Sequence, residues 1–169
     1  SKAIAFGDKE WFISYGYTRD LIVGSYIVHC VSTFTADEYD FDVTITAKAG
    51  SSNEVIIVGL ENTTVPISGI FNGDFGTLTI PQDQSLGDLL GDGSQVLLWS
   101  NTSETGDLVG NIDSNGNIVM DWASYISGGA YNGYYYDRYY GSTWTKQVAP
   151  PKSLAPINRN YSITIKAKR

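Results

Sequence analysis

The chain has 169 residues, 42% of them hydrophobic and 17% charged, which suits one sizeable core and is far from the composition of disordered chains. A formal charge of −7 argues against nucleic acid as a partner, and the lack of any run of 18 apolar residues excludes a membrane-spanning helix. Cys30 is the only cysteine, so no internal disulfide can form.

Taken in chain order, the elements read as strands. Residues 1–19 form an N-terminal extension. Residues 24–34 alternate, with Val28, Cys30 and Phe34 on one face and Ile27, His29 and Val31 on the other. Phe41, Val43, Ile45 and Ala47 then face one way, and Asp42, Thr44, Thr46 and Lys48 the other. After a turn at 49–53, residues 54–60 are almost continuously apolar, which predicts a strand covered on both sides. Further strands are predicted at 67–71, 76–80, 95–100, 108–113, 117–122 and about 139–145. Asn72-Gly73 and Asn115-Gly116 suit type I′ hairpins, because both residue types tolerate positive φ. Pro150, Pro151 and Pro156 mark a linker over 147–158, and Tyr161, Ile163, Ile165 and Ala167 alternate in a final strand within 159–169. Short strands with hairpin-length turns predict an all-β fold: an antiparallel up-and-down meander closing as a barrel, or alternatively a β-sandwich, since an open sheet would leave exposed edges. The expected organisation is a single domain over 1–169 with its core at about 21–146.

Charge is unevenly placed. Between Asp20 and Asp137 there are sixteen acids and one base, Lys48; after Asp137 there are seven bases and no acid. The expectation is that the cationic tail pairs with the acidic body inside one domain.

Few residues carry recognisable chemistry. His29 and Cys30 are neighbours in a strand and point to opposite faces, so they cannot form a nucleophile pair. A lone histidine builds no multi-histidine metal site, and no transition metal is expected. Asp37, Glu38, Asp40 and Asp42, and the Gly-Asp turns over 87–93, could collect oxygens for Ca²⁺, but no motif supports a calcium site. The segment 113–117 begins like an EF-hand loop and fails where Ile118 replaces the required glycine. With no nucleophile, metal or phosphate-loop motif, the chain is not expected to be an enzyme. Trp11, Trp99 and Trp122 fall in strand contexts and are expected in the core.

The strongest signal is aromatic. Seven rings lie within fourteen residues, at Tyr131, Tyr134, Tyr135, Tyr136, Tyr139, Tyr140 and Trp144, interleaved with glycines. Tyr and Trp bury large area while keeping a polar tip. One reading makes Tyr131, Tyr134, Tyr135, Tyr136, Asp137, Arg138, Tyr139 and Trp144 a ligand-facing rim, with Asp137 and Arg138 bonding a polar ligand. The other packs the rings on their own sheet.

Several motifs in order resemble a known family: Gly24-Ser25-Tyr26 in the first strand, Asp42-Val43-Thr44-Ile45-Thr46, Val55-Ile56-Ile57-Val58-Gly59-Leu60, Ile70-Phe71-Asn72-Gly73, Leu78-Thr79-Ile80-Pro81 with Gln84-Ser85-Leu86, and Trp122-Ala123-Ser124-Tyr125. Together they resemble the calycin-like (lipocalin-like) domains of secreted and surface lipoproteins of gut Bacteroidetes, over about 21–146. The resemblance implies an up-and-down barrel exported to the cell envelope, periplasmic or on the outer-membrane surface, with a lipid anchor upstream of this chain. It implies no activity. The function expected is thus a non-catalytic exported β-barrel domain binding a glycan or small apolar molecule at an aromatic rim. The alternatives are a structural or assembly module of a cell-envelope lipoprotein and, third, a hydrolase with paired carboxylates. Exposed rings favour glycan binding, buried rings the structural module, and a convergent carboxylate pair the enzyme.

Overall fold

The computed structural model describes residues 2–6 and 10–148, with side chains described from Ser14 onward. The linker and final strand expected beyond residue 148, with Lys152, Arg159, Lys166, Lys168 and Arg169, lie outside the described residues, as does the Trp11 side chain.

Two strands, β1 (Lys2–Phe6) and β2 (Glu10–Ser14), form an antiparallel hairpin of their own. The remaining strands make one antiparallel barrel: β3 (Gly24–Val31), β4 (Glu38–Ala47), β5 (Glu54–Val58), β6 (Ile67–Asn72), β7 (Thr77–Ile80), β8 (Gln95–Trp99), β9 (Leu108–Ile112), β10 (Ile118–Ser127) and β11 (Tyr135–Lys146). Neighbours in sequence pair in space from β3 to β7, and the ring closes where β11 pairs β3, with Trp144 opposite Val28. That pairing decides for the barrel over the sandwich. Among the described residues, helix is confined to two 3-10 turns, Arg19–Ile22 and Leu60–Asn62.

Nine strands make eight staves. β9 pairs Ile118 to Met120 of β10, and β8 pairs Ala123 to Ser127 on the same edge, because β11 occupies the other. β8 and β9 therefore lie end to end as one stave, interrupted by an excursion that the Ser100 N–H to Gly106 carbonyl bond pinches shut (2.9 Å). Residues 83–87 prolong β7 alongside β8, with Asp83 and Leu86 N–H donating to the Leu98 and Val96 carbonyls.

The interior follows from period two. Val28, Cys30, Phe41, Val43, Ile45, Val55, Ile57, Leu78, Ile80, Trp122, Tyr139 and Trp144 point inward and are buried. Several expectations are corrected. β5 is covered on one side only, since Ile56 and Val58 are half-buried on the outer face. β3 ends at Val31, so Phe34 sits in the following turn instead of on the inner face. Trp99 is half-buried on the outside, whereas Trp122 is core. The 114–116 turn is a three-residue loop in which only Gly116 takes positive φ (+83°). The Asp113 carboxylate accepts from Asn115 N–H, Asn117 N–H and the Asn117 amide. Burial works against its charge, yet these bonds hold its carboxyl below the usual range. In the β6–β7 turn the left-handed residue is Gly76, not the Asn72-Gly73 pair; the Asn72 side chain accepts from Asp74 and Phe75 N–H instead.

The two barrel ends differ. At one, residues 14–22 run across the opening as a strap touching each neighbouring turn. Tyr15 and Tyr17 N–H donate to the Asp74 and Gly73 carbonyls, Arg19 donates to the Ser51 and Glu54 carbonyls, and Lys146 Nζ donates to the Leu21 carbonyl. Ile22 inserts fully buried. The other end is roofed by turns and loops: 32–37, 59–66, 88–94 and 128–134.

Candidate functional site

The loop end is where titratable side chains enter the barrel. After β5, Gly59 takes φ +120°, where a Cβ would lie 2.0 Å from the Asp42 carbonyl oxygen. Only glycine fits, and it lets the chain turn over the barrel mouth. Glu61 follows at φ +52°, uncommon for a residue with a side chain. Its carboxylate is buried (3% exposed) and accepts from the Tyr139 hydroxyl at 2.7 Å.

Asp137 enters the same layer from β11. It is also 3% exposed, and its Oδ1 accepts from the Ser32 hydroxyl (2.7 Å) and the Arg138 N–H (2.8 Å). Ser32 in turn accepts from Phe34 and Thr35 N–H, so Asp137 anchors the β3–β4 turn. Beneath lie stacked and edge-on rings: Trp122 and Tyr139 at 4.7 Å, Tyr39 and Tyr139 at 6.2 Å, Tyr39 and Phe41 at 6.2 Å. Ser142 serves as a hub, accepting from Trp122 Nε1–H (3.0 Å) and donating to the Met120 carbonyl (2.6 Å). Leu89, Leu90 and Tyr131 of the roofing loops pack partly buried on this core.

Burial, and then the charges of Glu61 and Asp137, push the Tyr136 and Tyr139 phenols and the Cys30 thiol well above their ordinary values. The Tyr39 phenol is raised by burial and by Asp137, Asp37 and Glu61. Both carboxylates thus act on the same four groups. Cys30 is held as a protonated thiol, which suits packing and not nucleophilic attack.

The predicted rim is divided by the fold. β11 begins at Tyr135, so most of the Tyr-rich segment is barrel wall. Adjacent strand residues face opposite ways. With the bulge between the Ser124–Asp137 and Tyr125–Tyr135 pairs, Tyr136, Asp137 and Tyr139 are inside, and Tyr135 and Arg138 outside. Asp137 and Arg138 cannot direct one ligand together, contrary to the expectation. Arg138 instead lies over the rings of Phe34 (4.7 Å), Tyr135 (5.2 Å) and Tyr140 (5.3 Å), with Nε–H donating to Thr33 Oγ1 at 2.9 Å. Trp144 is not at a rim at all. It is fully buried toward the strap end, edge-on to Tyr26 at 6.4 Å. Tyr131 and Tyr134 lie half-buried in the roofing loop.

The acidic segments are occupied elsewhere. Glu38 and Asp40 face outward around His29, with Asp40 Oδ1 2.6 Å from Nδ1 and Glu38 Oε1 3.4 Å from Nε2. Asp88 accepts from the N–H groups of Gly91, Asp92 and Gly93, capping its own loop. Among the described residues, no three His, Cys, Asp or Glu side chains converge as a metal set. Nor, among the described residues, is any helix long and apolar enough to cross a membrane.

Sequence reasoning missed Glu61 and Ser124. Periodicity carries no signal for Glu61, which turns inward only through the left-handed backbone of 59–62. Ser124 does fall on the inward face of β10 with Trp122 and Ile126, a parity that reaches it once that strand is extended past residue 122. Comparison of the chain with protein-family models, with characterised proteins and with solved structures found no match. The architecture, an eight-stave antiparallel up-and-down barrel, is consistent with a calycin-like fold.

Proposed function

We propose that this chain is a non-catalytic binding barrel that takes a small ligand at its loop end. The observation that supports it most is the convergence of Tyr39, Glu61, Tyr136, Asp137 and Tyr139 in one layer at the end that no strap closes. An eight-stranded barrel is just wide enough to be filled by side chains or to hold one small ligand. Here Phe41 and Trp122 fill the middle, which supports a ligand near the mouth. With Tyr135, Tyr136, Tyr139 and Trp144 all buried, an exposed ladder stacking on a glycan is a poorer reading than a small molecule reaching inward. Binding is favoured over hydrolysis because both acids serve as hydrogen-bond acceptors for protein groups, and the one thiol is kept protonated. The calycin-like resemblance supports placement outside the cytoplasm, in the cell envelope, which fractionation of the native cell would test.

The binding reading is tested by a fragment screen followed by NMR mapping. Shifts should cluster on Tyr39, Tyr131 and Tyr136, and Tyr39→Ala should abolish them while Tyr140→Ala on the outer face should not. A screen without hits, or hits mapping to Tyr140 and Phe34, would return the barrel to the structural-module reading.

A further inference from the structure

The inner layer also constrains ligand chemistry. Ser124 sits on β10 directly opposite Asp137 of β11. By parity with Trp122 and Tyr139, the pair beneath it on the same face, both side chains point into the barrel. Directly opposed residues of antiparallel strands hold their Cβ atoms about 4.5–5.5 Å apart. The Ser124 residue is completely buried, and its Oγ has no hydrogen-bond partner among the described residues. A buried hydroxyl in that condition is disfavoured by about 1–3 kcal/mol. Asp137, its opposite number, acts together with Glu61 on Tyr39, Tyr136, Tyr139 and Cys30.

We infer that the ligand of the loop end carries a protonated alkylamine, its ammonium group held by Asp137, Glu61 and the Ser124 hydroxyl oxygen. The inference rests on the binding reading above and names the ligand class for that site. An ammonium group has three donors and no acceptor, one for each of these three oxygens. Its bonds to carboxylates are charge-assisted and about twice as strong as neutral ones. The faces of Tyr39 and Tyr136 add attraction for a cation. A carboxylate or phosphate ligand would meet two negative charges instead. That the same two acids raise Tyr39, Tyr136, Tyr139 and Cys30 together agrees with a shared negative field at this spot. The packed rings below limit the ligand to a small ammonium head, with any alkyl chain directed toward Tyr131, Leu89 and Leu90 at the mouth.

Hexylammonium, hexanol and hexanoate, titrated calorimetrically into the full chain, separate the possibilities. Hexylammonium should bind at least about tenfold more tightly than hexanol, and hexanoate not at all. Ser124→Ala breaks no hydrogen bond present in the structure and should fold normally. It should weaken hexylammonium roughly tenfold, the scale of a hydrogen bond to a charged group, and hexanol by less. Asp137→Asn should erase the preference for the amine. Equal binding of hexanol and hexylammonium would overturn the amine assignment while leaving the binding site standing. Hexylammonium binding insensitive to both substitutions would overturn it too, as adsorption to an acidic surface. Binding by none of the three, together with an empty fragment screen, would overturn the binding reading itself.

Discussion

The two ends of this barrel close by different physics. At the strap end, polar groups are satisfied largely by backbone carbonyls: the Tyr26 hydroxyl lies between those of Ile22 (3.0 Å) and Gly116 (2.7 Å), and Lys146 Nζ donates to that of Leu21 (2.7 Å). No carboxylate is buried there among the described residues. At the loop end two carboxylates and an unpaired serine hydroxyl lie within the wall. Buried charge costs stability unless well paired. The strap end demonstrates that this sequence can close a barrel with apolar packing and satisfied backbone, so closure alone does not require Glu61, Asp137 and Ser124. Arrangements that cost stability and are not needed for folding concentrate at functional sites.

The largest effect expected is at high pH. Tyr26 at the strap end and Tyr136 and Tyr139 at the loop end are all raised above the ordinary phenol value near 10, chiefly by burial. Below about pH 10 the folded and unfolded chains hold these protons equally, and stability is unaffected. Above it the unfolded chain releases them while the folded chain retains them, so stability falls steadily as pH rises. Absorbance at 295 nm should climb in two steps, the second coinciding with loss of the β circular dichroism signal. The ends can be compared as well: Tyr136 and Tyr139 feel two buried carboxylates, Glu61 and Asp137, in addition to burial, and Tyr26 one exposed carboxylate, Asp113. Amide exchange should therefore accelerate at β11 residues 135–139 before it does at Tyr26, and the reverse order would break the contrast.

Next in size is the core beside the strap. Trp144→Ala deletes a fully buried indole that packs edge-on against Tyr26. Such truncations cost about 3–5 kcal/mol, against a total of roughly 5–15 for a domain. Tyr140→Ala, on the same strand but 46% exposed, should stay within about 0.5 kcal/mol. Urea denaturation of the pair measures how far one aromatic segment is divided between core and surface.

A third substitution tests the strap directly. A Cβ on Gly73 would lie 1.9 Å from the Tyr17 carbonyl oxygen, a backbone atom that cannot swing aside. Gly73→Ala must push the strap outward, against the Tyr17 N–H bond to the Gly73 carbonyl (3.1 Å). A loss of about 1–3 kcal/mol is expected, the range for overpacking, with faster exchange of the Tyr15 and Tyr17 amides. An unchanged melt would show that the strap is dispensable to closure.

What the sequence made legible follows from these contrasts. Alternation at Phe41, Val43 and Ile45 predicted both the strand and its inner face, because period two is a local property. Closure between β11 and β3 is not local, and could be inferred only from the hazard of open edges. The Tyr-rich segment was misjudged as a rim because its density of rings was read without the two register shifts between β10 and β11, which place Tyr136 and Asp137 inside and Gly141 outside. Trp144 followed the same error, although its own alternation with Ser142 placed it inward. Glu61 was invisible because its direction depends on the close approach of Gly59 to the Asp42 carbonyl on the neighbouring strand, a contact that periodicity does not reveal.

The smallest expected effect carries the opposite sign and bears most directly on the two ends. Ser124→Ala removes a hydroxyl that is wholly buried and has no partner among the described residues. Desolvating such a group costs about 1–3 kcal/mol, and truncation to alanine removes that cost while losing little packing. The variant should melt higher, gaining about 1 kcal/mol by urea denaturation, with an unchanged denaturant slope. Removing the paired Ser142 hydroxyl gives the control: it accepts from the Trp122 indole and donates to the Met120 carbonyl, so Ser142→Ala should lose about 1–3 kcal/mol. Two serines on facing strands would then respond in opposite directions, the paired one supporting the core and the unpaired one burdening it. Should Ser124→Ala also destabilise the barrel, its hydroxyl would have to be satisfied in solution. The argument that the loop end holds polar groups for a ligand would then lose its best support.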